Sequence, residues 1–167
     1  MPDIVLQDGS IKQDDWVVVS RPEDGDSLNP PNQKALIPVD LWLAGYERYA
    51  GREDIGVWFD SHQEPETLGD KVNELTVIAV NFPKFTDGRG YSIGRLLRER
   101  MGYQNELRAI GDVLLDQLQF MKRCGFDAYA LRPDKDIQKA ARCLGFFSQG
   151  YQAATDTDTP LFRRRAG

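Results

Sequence analysis

Histidine and cysteine are scarce here: one histidine and two cysteines in 167 residues. Cys124 and Cys143 cannot supply the four ligands of an iron–sulfur cluster, and neither stands in a Cys-x-x-Cys pair. His62 has no second histidine or nearby cysteine, so it makes a poor metal site and reads as an exposed loop residue. Nothing resembles a Ser/His/Asp set. The run Gly88-x-Gly90-x-x-Ile93 lacks the third glycine of the dinucleotide fingerprint, and no Walker A sequence is present. No cofactor is therefore expected. No stretch approaches the ~20 apolar residues of a membrane helix. The start, Met1-Pro2-Asp3-Ile4, lacks the basic and apolar segments of a signal peptide, so a cytoplasmic protein away from membranes is expected. Positive charge is also in deficit. Against 26 acidic residues there are 21 basic ones, a net charge of −5, which disfavours nucleic acid as a partner.

What remains is ordinary globular material, 41% hydrophobic and 28% charged. The length suits a single domain over residues 1–167. Within it, residues 1–34 read as an N-terminal hairpin and a Pro-rich loop, 35–151 as a βα core and 152–167 as a tail. Ile4-Val5-Leu6 and Trp16-Val17-Val18-Val19 flank a polar connection containing Asp8-Gly9-Ser10, which is a hairpin pattern. Strands are expected at 35–39, 55–59, 76–82, 106–110 and 127–131. Phe146, Phe147 and Tyr151 suggest a last one. Between them lie helical patterns: after Asp40 as cap, at 66–73, at 93–101 after Ser92 as cap, at 112–123 after Asp112 as cap, and at 136–144. Gly51, Gly102, Gly125 and Gly145 read as helix stops. Alternating β and α units define an α/β fold with a mainly parallel sheet, either doubly wound or a partial, barrel-like (β/α) arrangement.

Ligands in such folds sit beyond the carboxyl ends of the strands. The loop 83–92 holds that position and carries the densest set of functional groups. Gly88 and Gly90 let backbone approach a ligand, while Thr86, Ser92 and the following helix offer donors. Lys84, Arg89 and Arg95 add cations suited to an anion. The same residues also serve as plain turn chemistry with a solvated helix face. Gly111-Asp112 and Arg132-Pro133-Asp134 should open on the same side. Asp112 and Asp87 each read as a cap or turn residue, or as an acid or base if they face a pocket.

Phe82-Pro83-Lys84-Phe85-Thr86-Asp87-Gly88-Arg89-Gly90-Tyr91-Ser92, with Arg95-Leu96-Leu97-Arg98-Glu99-Arg100, Glu106-Leu107-Arg108-Ala109, Gly111-Asp112-Val113-Leu114 and Arg123-Cys124-Gly125-Phe126-Asp127, resembles an uncharacterised bacterial family, domain of unknown function 934. That family carries the label of a probable oxidoreductase involved in sulfite reduction. The resemblance implies a role in assimilatory sulfur metabolism, with a sulfite or nitrite reductase as partner and a small anion or acidic surface as ligand. The expected function is an accessory protein of sulfite reduction acting through the loop 83–92. A small-molecule enzyme using Asp87 or Asp112 with Arg89, and a structural subunit, stand as alternatives. A homo-oligomer is open to each of them.

Overall fold

The computed structural model describes residues 3–21, 33–83, 88–132 and 134–150, with residues 146–150 as backbone only. Among the described residues eight strands make one sheet. These are β1 (Asp3–Leu6), β2 (Ile11–Gln13), β3 (Val17–Val18), β4 (Ala35–Pro38), β5 (Ile55–Phe59), β6 (Val77–Phe82), β7 (Glu106–Gly111) and β8 (Ala128–Tyr129). Their order is β2-β1-β8-β7-β6-β5-β4-β3. From β3 to β8 neighbours are parallel and follow chain order. β1 joins β8 and β2 antiparallel, so β1 and β2 form a hairpin.

One consequence is geometric. The end strands β2 and β3 are joined by residues 14–16 alone, and four Cα–Cα steps reach at most about 14 Å. A flat ribbon of eight strands would hold them seven spacings apart, about 34 Å. The sheet therefore curls, and the result is a half-barrel. Strictly sequential order, with no reversal of direction across the sheet, decides between the two arrangements expected from sequence in favour of the barrel-like one.

The curl gives the sheet two unlike faces. Ile37, Val57, Phe59, Ile78, Val80, Phe82, Leu107 and Tyr129 join one core with the helices. That core takes in Trp42 of α1 (Val39–Ala44), Tyr49 of α2 (Tyr46–Tyr49), Leu68 and Val72 of a 3₁₀ segment (Pro65–Glu74), and Ile93 of α3 (Arg89–Arg95). Leu97 of its π-helical continuation (Leu96–Arg100), Leu118 and Met121 of α4 (Leu118–Arg123), and Leu144 of α5 (Ile137–Gly150) complete it. The alternate strand positions Leu36, Val77, Ala79 and Ile110 meet Trp16, Trp58 and Ala130 in a smaller cluster without helical members. This inner face also holds Arg108, 1% exposed. Its Nη1 donates to Asp14 Oδ1 at 2.7 Å and its Nε to Glu106 Oε2 at 2.9 Å. Nη2 lies 2.7 Å from the same Glu106 oxygen but out of line for a hydrogen bond. Asp14 also accepts the Trp16 N–H at 3.0 Å. The crossing segment is thus fastened to the middle of the sheet.

Several elements differ from the sequence reading. The partner of β1 is Ile11–Gln13, while Val17–Val18 goes to the opposite end beside β4. A four-residue turn, in which Asp8 Oδ1 accepts Ser10 N and Oγ, closes the hairpin early enough to free that segment. Helix α3 begins at Arg89 behind Gly88, so Ser92 lies inside it and is not its cap. Asp40 sits in the first turn of α1, behind Pro38. Asp112 caps nothing: helical structure resumes only at a 3₁₀ turn, Leu115–Gln117, behind Leu114. Residues 146 and 147 are helical, since α5 runs through Gly145. That glycine is a contact, because the hairpin turn at Gly9 presses on Ala141 and Gly145 so closely that a Cβ at Gly9 would lie 2.6 Å from the Ala141 carbonyl. Gly51, Gly102 and Gly125 do end their segments with positive φ of 81°, 68° and 106°.

Arg108→Met should lower unfolding free energy by about 3 kcal/mol, because two carboxylates lose their buried cation. Adding Asp14→Asn and Glu106→Gln should recover part of that loss in urea denaturation. A second prediction concerns Asp127, which accepts the Leu107 N–H at 2.8 Å and lies 3.2 Å from Arg98 Nη2. Burial pushes its carboxyl above the ordinary value of 3.8, against the Leu107 hydrogen bond and the Arg98 charge. The folded state then holds that proton more tightly than the unfolded chain. Its stabilising contribution is full below 3.8 and is lost as pH rises through the raised value. The stability difference between wild type and Asp127→Asn should therefore move toward wild type as pH falls from 7 to 4; a pH-independent difference contradicts this.

Candidate polar rim at the strand carboxyl ends

Every parallel strand contributes a polar group at its carboxyl end, and most of these groups are bonded to a neighbour. Arg21, after β3, bridges to Asp40, after β4, with Nη2 2.8 Å from Oδ1. Gln63, after β5, donates to the same oxygen at 3.4 Å and accepts the Asp60 N–H at 2.8 Å. Asn81, the last inner-facing residue of β6, donates through Nδ2 to Asp60 Oδ1 at 3.5 Å. The Asp112 N–H donates to Phe82 O at 2.7 Å, and Arg132 Nη1 donates to Asp112 Oδ1 at 2.9 Å. Arg132 also grips Asp134 through Nε and Nη2, both at 3.1 Å. The side-chain bonds run from β3 to β6 and again from β7 to β8, with the backbone bond from Asp112 to Phe82 between the two stretches.

Its charges are paired but accessible. The hydrogen bond from Arg21 holds the Asp40 carboxyl below the usual carboxylate range. The hydrogen bond to Asp112 raises the Arg132 guanidinium above its ordinary value. Guanidinium has five N–H donors; three of those on Arg132 are engaged, and its side chain is 42% exposed. His62 stands 3.9 Å from Asp60 Oδ2 and is exposed. Among the described residues no group of three His, Cys, Asp or Glu could hold a metal ion, and no helix is long and apolar enough to cross a membrane.

The residues singled out from sequence are distributed unevenly around this rim. Lys84, Thr86 and Asp87 lie outside the described residues. Gly88 and Arg89 stand exposed where α3 leaves the loop after β6. Gly90 is buried against the Phe82 ring, where a Cβ would lie 2.5 Å from a ring carbon, so its role is close packing. Ser92 is exposed within α3. Arg95 turns to another partner, donating through Nε to Cys124 Sγ at 3.5 Å, beside the end of α4. Asp112 is in the rim, joined to Arg132. Asp40, Asp60, Gln63 and Asn81 were not legible as rim members, although an asparagine inside the apolar run 76–82 is a signal for Asn81.

These features define an α/β half-barrel protein whose strands end in a polar rim. The chain belongs to the family described as Bacterial protein of unknown function (DUF934), whose model matches residues 56–162. The matched span takes in all of β6 to β8 and all but the first residue of β5, and with them the Asp60, Asn81, Asp112 and Arg132 part of the rim. No curated protein and no solved structure matches the chain.

Because Arg132 is half-exposed, a double-mutant cycle with Asp112→Ala and Arg132→Ala should give a coupling energy below about 1 kcal/mol. Chemical denaturation of the four proteins measures it. A value several times larger would mean that the rim bears the fold's stability.

Proposed function

We propose that the protein is an accessory factor of assimilatory sulfite reduction that holds a small oxyanion, or an acidic surface of a redox partner, at the carboxyl ends of β6, β7 and β8. The observation that supports this reading is the contact of Arg132 with Asp112. It brings a guanidinium with two remaining N–H donors to the side of the sheet on which Arg89 opens α3. Two arginines from different loops suit forked recognition of an oxyanion. The exposed Asp134 carboxylate occupies part of Arg132 as a local pair two residues away, which a stronger anion could displace. Arg95 takes no part. A small-molecule enzyme is the second reading, favoured by the same contact: Asp112 is a half-buried carboxylate, 18% exposed, oriented by Arg132. The role in sulfur metabolism follows from what the family resemblance implies.

A gene-deletion strain should grow poorly on sulfate or sulfite and normally on a reduced sulfur source. Wild type should restore growth. Arg89→Ala/Arg132→Ala should not, although it accumulates as folded protein. Full complementation by the double variant would end the proposal.

A further inference from the structure

We propose that Asn81 and Asp60 form a second subsite in the rim, one that accepts hydrogen bonds, so that the ligand carries a hydroxyl or ammonium group beside its anionic head. This rests on the reading of Arg132 and Arg89 as the anion-holding part.

Asn81 occupies the inner face of β6, near the middle of the sheet, at the end where half-barrels and barrels open to ligands. An ionised carboxylate only accepts hydrogen bonds, so the amide must turn its Nδ2 toward Asp60 and its Oδ1 away. No donor reaches that Oδ1 among the described residues. On the other side of the pair, Asp60 Oδ1 takes the Ser61 N–H at 2.9 Å and the long bond from Asn81, while among the described residues Oδ2 has only His62 Nδ1 at 3.9 Å. Two acceptor atoms, Asn81 Oδ1 and Asp60 Oδ2, are thus left with unused capacity.

The backbone keeps room for this arrangement. Gly111, opposite Phe82 on β7, has φ of +90°, and a Cβ there would overlap Asn81 Oδ1. Asp112 follows directly and leads to Arg132. Asn81 ends the inner face of β6 and Arg132 follows β8 two strand places away, a lateral spacing of about 10 Å, and the Arg132 side chain is long enough to shorten the gap. A bare oxyanion would satisfy only the cationic end. A molecule with an anion and a donor a few bonds apart satisfies both.

The test is titration calorimetry on the full chain with two probes that share the phosphate and the two-carbon chain, O-phosphoethanolamine, which ends in a charged ammonium donor, and ethyl phosphate, which ends in a methyl group. Wild type should bind the first about tenfold more tightly, the order expected of one good hydrogen bond to a charged group. Asn81→Ala and, separately, Asp60→Asn should bring the two affinities together. Arg132→Ala should weaken both probes. Equal affinities in wild type, or a preference that survives Asn81→Ala, would overturn the subsite and leave the anion reading standing. If neither probe binds, both readings fall.

Discussion

The connection through residues 14–16 is the constraint on which the rest of the molecule depends. Three residues must carry the chain from one end of an eight-stranded sheet to the other. They can do so only if the sheet curls, and the curl is held by Asp14, which accepts both Arg108 from β7 and the Trp16 N–H. A buried ion pair of this kind is weak as a source of stability, since desolvation offsets much of the attraction. As a registration device it is strong, because the Arg108 charge has Asp14 and Glu106 as its partners on the inner face. The position of the first hairpin, the inner cluster and the opening of the half-barrel all follow from that fastening.

The two faces of the sheet then divide the labour. Apolar strand positions and helices make the larger core, in which glycines mark close approaches: Gly90 and Gly94 leave space for the Phe82 and Phe126 rings. At the carboxyl ends the strands must stop hydrogen-bonding one another, and their last polar groups are satisfied by loop side chains. The rim from Arg21 to Arg132 meets that need, and its exposed members leave donors and acceptors for a ligand. Arg95 illustrates the division. It stands only two turns into α3 from Gly88, yet the helix carries it outward to Cys124.

Much of the architecture was legible because period and punctuation are local. The runs at 55–59 and 77–80 are apolar throughout, as strands buried on both faces must be, while 106–110 is interrupted only by Glu106 and Arg108, and positive-φ glycines close the segments before and between them. Legibility failed where a local signal had two physical meanings. Asp112 follows a glycine as a helix cap would, but its carboxylate serves Arg132. Gly145 looks like a helix stop, whereas α5 runs through it and the turn at Gly9 packs on its backbone, with Gly9 the position that leaves no space for a side chain. Trp16 to Val19 alternates like a hairpin partner of Ile4 to Leu6, and nothing nearby in the chain shows that β4 would claim it.

The sequence by itself determined the α/β class, the parallel strands, the family and the loops that lead from strand to helix, because these depend on patterns spanning a few residues. Tertiary structure alone decided that the sheet is a half-barrel, that Arg108 lies within it, and that Asp40, Asp60, Asn81, Asp112 and Arg132 share one rim. Those facts depend on hydrogen bonds between residues roughly 20 or more positions apart, between side chains whose types are equally at home on any solvated surface.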